Sequence, residues 1–178
     1  MATHQDLASL LQESVPEYLH IAHECLTHQK AGGGVYGFPA ALLLFTILDT
    51  IGSFHKGDRN FFAIVDGKNR SINADGFKHY FTLNTSYYNQ TLTEVQIKRL
   101  YDYYRCLLSH NASLAPGCGL EVGNHGEPFF SVDKSGVIVA IRLLPFYNQS
   151  VAAVEHFLQR IDSILKTSAQ ATTIIKKS

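Results

Sequence analysis

The chain has 178 residues, which is enough for one compact domain with a sizeable core. Hydrophobic residues make up 46% of it and charged residues 17%, a balance typical of globular proteins. Lysine plus arginine and aspartate plus glutamate number 15 each, so the net charge is zero. This balance excludes a broad basic surface for coating nucleic acid, while a local phosphate site remains compatible with it.

The N-terminal region predicts two helices separated by a break. Ser14, followed two positions later by Pro16, matches a capping pattern with proline in the first helical turn. We therefore predict helices over residues 5–13 and 16–29, the second ended by consecutive glycines. The chain starts without a basic segment followed by an apolar core, which indicates that it does not begin with a secretory signal.

The next predicted helix is unusually apolar. It begins at Pro39 and runs to about residue 54. Its apolar run carries Asp49 and is too short and too polar to span a bilayer, so no membrane association is expected. A buried carboxylate in such a helix needs a partner, and Arg105 is the partner that we prefer. The alternative is that Asp49 lies on a polar stripe that faces water.

The middle of the chain combines an ambiguous segment with two predicted helices. Residues 55–70 contain FFAIV followed by Asp-Gly, which is consistent with half a hairpin or with an ordered loop. A short helix is predicted over residues 74–84. Thr91 and Glu94 form a predicted capping box for a further helix that reaches about residue 110.

The C-terminal third predicts a small antiparallel β unit and then a last helix. PFFSV, a DKSG turn and GVIVAIRLL are typical of a hairpin, because turn residues separate two runs of β-branched and aromatic residues. LEV at 120–122 is a candidate third strand. The last helix is predicted over residues 150–166, whose apolar side chains share one face, and the tail from residue 171 is predicted to be frayed.

The predicted fold class is mainly α. We predict a single domain over residues 1–178, in which a helical bundle covers 5–113 and 150–167. A small antiparallel β unit, either a hairpin or a three-stranded sheet, is inserted at about 118–145, before the last helix.

The helix that ends at YYRCLLSHN, residues 103–111, carries an Arg and a His five positions apart. At about 100° per residue, its leucines and tyrosines form one buried stripe. Asp102 and Cys106 fall nearly opposite that stripe. Arg105 and His110 lie on either side of the outward face, so both can turn away from the core.

This pair of residue types suits phosphate chemistry. Arg105 offers a planar, permanently charged fork that matches phosphate oxygens. His110 titrates near neutrality and can take or give a proton. Together they could cleave RNA without metal, since the His would assist the 2′-hydroxyl or the leaving oxygen and the Arg would stabilise charge on phosphorus. Two structural interpretations stay open: Asp102 could form a surface ion pair with Arg105, and His110 could simply cap the helix.

With these two helices, the sequence resembles the HEPN superfamily of helical bundles. The signature of that superfamily is an Arg, four to six intervening residues and a His near the end of a late helix, matched here by Arg105 and His110. The preceding apolar helix with one acidic residue, LLLFTILDTIG, is also similar to many bacterial members. The resemblance covers residues 5–113, and the β unit looks like an addition.

The resemblance implies a metal-independent endoribonuclease that needs no cofactor. Arg105 and His110 would be the catalytic pair, supported by Asp49, Asp102 and Cys106, and a homodimer would bring two such pairs together. RNA is the implied substrate, and an antitoxin-like protein is a further candidate partner. One position departs from the family pattern, because Cys106 stands where Asn is typical. Inactive members that only bind or scaffold also exist, so the alternative function is a non-catalytic homodimeric interaction module.

Other candidate sites carry weaker signals. His20, His23 and Glu24 share a helical neighbourhood, but HIAHE is not the His-Glu-x-x-His pattern, and no metal site is predicted. Cys106 and His110 could form a nucleophile and base, although helix C-termini do not lower the pKa of a thiol. The three cysteines are an odd count without zinc-like spacing, which indicates reduced thiols and a cytoplasmic location.

Overall fold

A computed structural model describes residues 6–72 and 76–177. The described part is mainly helical, as predicted, and it contains two small sheets, one of them in the β unit predicted before the last helix. Its helices are α1 (Leu7–Thr27), α2 (Gly37–Phe54), a 3-10 helix (Gly76–Asn84), α3 (Glu94–Arg99), a π segment (Leu100–Cys106), α4 (Leu107–Asn111), α5 (Leu143–Gln159), α6 (Ile161–Thr167) and α7 (Ala169–Ile175). Its strands are β1 (Phe62–Val65), β2 (Lys68–Ser71), β3 (Gly119–Glu121), β4 (Phe130–Val132) and β5 (Ile138–Arg142).

The N-terminal region forms one helix, so the predicted break at Ser14 is wrong. Asp6 caps α1 by accepting a hydrogen bond from the backbone N–H of Ser9 at 2.8 Å. Pro16 lies inside the helix on its exposed side, where water can satisfy the carbonyl that proline leaves unpaired. A continuous buried stripe on the other side holds the helix together: Leu11, Val15, Leu19, Ala22 and Leu26.

Helix α2 lies at the centre of the domain. It contacts α1, α5 and the 3-10 helix, and its predicted extent is confirmed apart from a start two residues earlier, at Gly37. Its length and composition alone would suit a membrane span, so the prediction that it is too short and too polar for one is wrong, but half of it is buried within the domain. The packing therefore identifies α2 as the core helix of a folded domain.

The ambiguous segment contains a hairpin, β1 paired with β2 in antiparallel register. Asp66 and Gly67 form its two-residue turn, both with positive φ, at 51° and 71°. The 3-10 helix follows at Gly76–Asn84. The predicted start of this helix at residue 74 lies outside the described residues.

The helix that carries Arg105 is continuous from α3 through the π segment to α4. Its capping box begins two residues later than predicted. It joins Thr93 and Gln96 rather than Thr91 and Glu94. A π turn holds more residues than an α turn, so the rotation of 100° per residue does not apply across the π segment. Side chains after Leu100 consequently point in directions different from those that an α-helical projection gives.

The second sheet is mixed. The β4–β5 hairpin is confirmed, but β3 pairs in parallel with β5, so the predicted antiparallel arrangement is wrong for this strand. Strand β5 lies between the other two strands, so β3 occupies one of its edges and β4 the other.

The last predicted helix begins earlier and ends earlier than expected. Leu143 and Leu144, assigned to a strand from the sequence, open α5, and Pro145 occupies its first turn, where proline is favoured. The helix stops at Gln159, and α6 and α7 continue the chain. The tail predicted to be frayed is therefore largely helical, with Ala171 buried.

Gly52 allows the 3-10 helix to pack closely against α2. A Cβ atom at this position would lie 2.4 Å from the carbonyl oxygen of His79 and 2.9 Å from the hydroxyl oxygen of Thr82. Asp49 precedes Gly52 by three residues and therefore lies on the same face of α2. The absence of a side chain at Gly52 thus determines how closely the 3-10 helix approaches Asp49.

We expect Gly52→Ala to lower the free energy of unfolding by about 1–3 kcal/mol, because the new methyl group must displace backbone rather than a flexible side chain. Gly32→Ala is the matched control, since no atom lies within 4 Å of a Cβ placed there. Chemical denaturation of both variants measures the difference. Equal stability of the two would contradict the close packing at Gly52.

Candidate functional site at Asp49

Three separate elements bring polar side chains together at Asp49. Its Oδ2 accepts a hydrogen bond from Nε of Arg105 at 2.7 Å, and its Oδ1 accepts one from Nε2 of His79 at 2.6 Å. The side chain of Asp49 is only 19% exposed. The predicted contact with Arg105 is therefore present, and the alternative of an Asp49 that merely faces water is wrong.

Arg105 is oriented by this contact. Its Cζ lies 5.6 Å from the ring centre of Tyr101, and its side chain is 27% exposed. Burial alone would lower the pKa of Arg105, but the hydrogen bond and charge of Asp49 raise it above its usual value. Asp49 binds Nε, and within the described residues no oxygen or nitrogen atom accepts a hydrogen bond from either Nη atom. The guanidinium also lies within hydrogen-bonding reach of the Cys106 thiol, a weak acceptor, so its Nη groups remain open to a stronger acceptor such as an anion.

His79 completes the cluster, and sequence reasoning missed it. Its ring meets those of Tyr80 and Tyr101 edge-on, with ring centres 5.0 Å and 5.7 Å away. Its side chain is 13% exposed, and within the described part of the chain its Nδ1 has no hydrogen-bond partner. No local signal in GFKHYF identifies this residue, because only the packing at Gly52 brings it to α2.

Two tyrosines form the wall of the cluster. Tyr80 is fully buried, and its hydroxyl lies close to the Asp49 carboxylate but has no hydrogen-bond partner within residues 6–72 and 76–177. Burial, followed by the charge of Asp49, raises the pKa of Tyr80 well above its usual value. Burial, followed by Cys106, also raises the pKa of Tyr101. Both phenols therefore stay protonated at neutral pH and cannot serve as bases there.

Within the described part of the chain, the other predicted site residues make no hydrogen bond to Asp49, although Cys106 lies within hydrogen-bonding reach of Tyr101 and Arg105. His110 is exposed in α4 and has no hydrogen bond or ion pair with any described residue. Asp102 forms an ion pair with Lys98, so the predicted alternative of a pair with Arg105 is wrong. Cys106 is half-buried at the end of the π segment. The structure thus brings Asp49 and Arg105 into contact, exposes the side chain of His110 to solvent and pairs Asp102 with Lys98.

A second buried histidine lies at the end of α2. His55 is 1% exposed, stacks on Phe61 with ring centres 3.7 Å apart, and has its Nε2 2.9 Å from the hydroxyl oxygen of Tyr87. Burial lowers the pKa of His55 to about 4 despite the opposing effect of Asp58. This histidine is neutral at physiological pH and packs as part of the core.

The metal alternative receives no geometric support from the described residues. They contain no group of three or more His, Cys, Asp or Glu side chains that could hold an ion. His20 and His23 are exposed on α1, and Nδ1 of His23 lies 3.9 Å from Oε1 of Glu24.

Comparison with protein-family models, with curated proteins and with solved structures found no match to this chain. The function must therefore be argued from the cluster itself.

We expect Asp49→Ala to lower the free energy of unfolding by about 2 kcal/mol or more, because it leaves Arg105 and His79 unpaired in a mostly buried position. Glu155→Ala is the matched control, since Glu155 is an exposed helical carboxylate without an ion pair among the described residues. Urea unfolding curves would show the difference. A decrease in the free energy of unfolding no larger than that of the control would mean that the carboxylate contributes little to stability.

Proposed function

We propose that this protein is a metal-independent endoribonuclease of the HEPN type. The observation that carries the proposal is the way Asp49 holds Arg105 through Nε alone, which orients the guanidinium and leaves both Nη donors for a phosphate. A planar cation fixed in this way stabilises charge that develops on a phosphoryl group. The chain's zero net charge fits recognition of one phosphate better than coating of a long nucleic acid.

The reaction supported by these groups is an internal transfer at phosphorus. The 2′-oxygen of RNA attacks the adjacent phosphorus, the bond from phosphorus to the 5′-oxygen breaks, and a 2′,3′-cyclic phosphate and a 5′-hydroxyl result. Arg105 stabilises the charge on the non-bridging oxygens. His110, exposed five residues further on, exchanges a proton with the reacting oxygens.

The proposal extends to assembly and location. A homodimer would bring two Arg105–His110 pairs together, RNA would be the substrate, and an antitoxin-like protein would be a candidate regulator. The reduced cysteines are consistent with the cytoplasm. Light scattering that shows only a monomer at micromolar concentration would contradict the dimer.

A specific observation also favours a second candidate, a non-catalytic homodimeric interaction module on the same fold. Cys106 stands next to Arg105 where the resembled family typically has Asn, and a thiol is a weaker hydrogen-bonding group than an amide. The same cluster would then orient Arg105 for binding without turnover.

The two candidates differ in cleavage of a generic RNA in the presence of EDTA. We expect the wild type to cleave and His110→Ala to lose about 100-fold or more of the rate, as is typical when a proton-transfer residue is removed. Because His110 is exposed and unbonded, this variant should unfold at the wild-type temperature. His20→Ala, which removes another exposed helical histidine, is the control and should cleave normally.

Two results would overturn the ribonuclease proposal in different ways. Absence of cleavage by pure wild-type protein would favour the interaction module. Cleavage by His110→Ala at the wild-type rate would exclude His110 as the proton carrier.

A further inference from the structure

Cleavage of RNA by internal transfer requires two proton movements, and this inference rests on the proposed ribonuclease function. One proton leaves the 2′-hydroxyl as its oxygen attacks, and another reaches the 5′-oxygen as it departs. Two groups carry these movements best, one as base and one as acid. The proposed function assigns one proton transfer to His110, so a second group is required.

His79 has the geometry of a general base. Because a carboxylate can only accept, the 2.6 Å contact requires a proton on Nε2 of His79, donated to Oδ1 of Asp49. Neutral histidine then carries its lone pair on Nδ1, the atom without a partner in the described part of the chain. This is the arrangement in which a carboxylate sets the histidine tautomer and stabilises the imidazolium that forms.

The placement of His79 relative to Arg105 supports the same role. Both side chains are hydrogen-bonded to one carboxylate, at 2.6 Å and 2.7 Å, which places the imidazole and the guanidinium next to each other at Asp49. Edge-on contacts with Tyr80 and Tyr101 hold the ring in place. A rigidly placed base is more effective than a mobile one, because its orientation is set before the substrate binds.

We propose that His79 is a second catalytic residue, the general base that accepts the 2′-hydroxyl proton at Nδ1. The 2′-oxygen forms a bond to phosphorus as that proton moves to His79. The bond to the 5′-oxygen breaks, and the departing oxygen takes a proton from protonated His110. His79 ends as an imidazolium beside Asp49, and His110 ends neutral, so protons and charges balance.

The charged and titratable groups around His79 come from three elements. Asp49 lies on α2, Arg105 and Tyr101 lie on the π segment together with Cys106, and Tyr80 adjoins His79 on the 3-10 helix. The two phenols have raised pKa values and stay protonated at neutral pH. Neither phenol therefore competes with His79 as the base at neutral pH.

The variant His79→Gln distinguishes a proton-accepting role of His79 from a role in which it only positions Asp49. The amide nitrogen of glutamine can still donate to Asp49 in place of Nε2, but glutamine cannot accept a proton from substrate. We expect this variant to unfold like the wild type, to lose about 100-fold or more of the RNA cleavage rate, and to lose the limb of the pH–rate profile that rises with pH. His110→Ala should instead lose the decrease in RNA cleavage rate at higher pH.

The outcomes distinguish this inference from the ribonuclease proposal. If the wild type cleaves and His79→Gln keeps both the rate and the two-limbed profile, His79 is not the base and the ribonuclease proposal stands. If His79→Gln is slower by a constant factor at every pH, the residue only positions Asp49, which also overturns a catalytic role. Absence of cleavage by the wild type overturns both proposals.

Discussion

The carboxylate of Asp49 lies on the central apolar helix, where an unpaired charge would be costly to bury. Its two oxygens are occupied by side chains from two other elements, Arg105 from the π segment and His79 from the 3-10 helix. This bridge ties three elements together on one face of α2. It also leaves Nη of the arginine and Nδ1 of the histidine outside the two hydrogen bonds to the carboxylate.

The surrounding packing makes that bridge possible. A residue with a side chain at Gly52 would collide with the backbone of His79, so the small residue sets the distance between α2 and the 3-10 helix. The π segment changes the direction of Arg105 on its own helix, and such segments are frequent at functional sites. Tyr80 and Tyr101 then enclose the cluster with aromatic surface. A rigid scaffold of this kind suits a site whose chemistry depends on orientation.

Much of the fold could be predicted from the sequence, because amphipathic patterns, turn residues and caps are local. The apolar pattern of α2 and the β4–β5 hairpin are examples, whereas the Asp66–Gly67 sequence left both a hairpin and a loop open. Errors arose where tertiary packing overrode a local signal: Pro16 is tolerated inside α1 on its exposed side, and β3 pairs in parallel. The start of α5 was also misplaced, because leucines that fit a strand open a helix beside Pro145.

The candidate site likewise combines a contact that the sequence predicts with a residue that it does not. The contact between Asp49 and Arg105 was foreseeable, because a carboxylate in an apolar helix requires a cation. His79 was not foreseeable, because its meeting with Asp49 depends on a long-range contact at Gly52 that leaves no pattern near the histidine. The π segment was equally hidden, since π and α turns share the same composition.

The central claim is that Asp49 fixes His79 in one tautomer beside Arg105. Long-range ¹H–¹⁵N NMR of the histidine side chains tests it most directly, with the His79 signals assigned by their loss in His79→Gln. We predict a slowly exchanging proton on Nε2 and an unprotonated Nδ1 above neutral pH, both altered in Asp49→Ala. A proton on Nδ1, or rapid averaging like that of the exposed His20, would contradict the account.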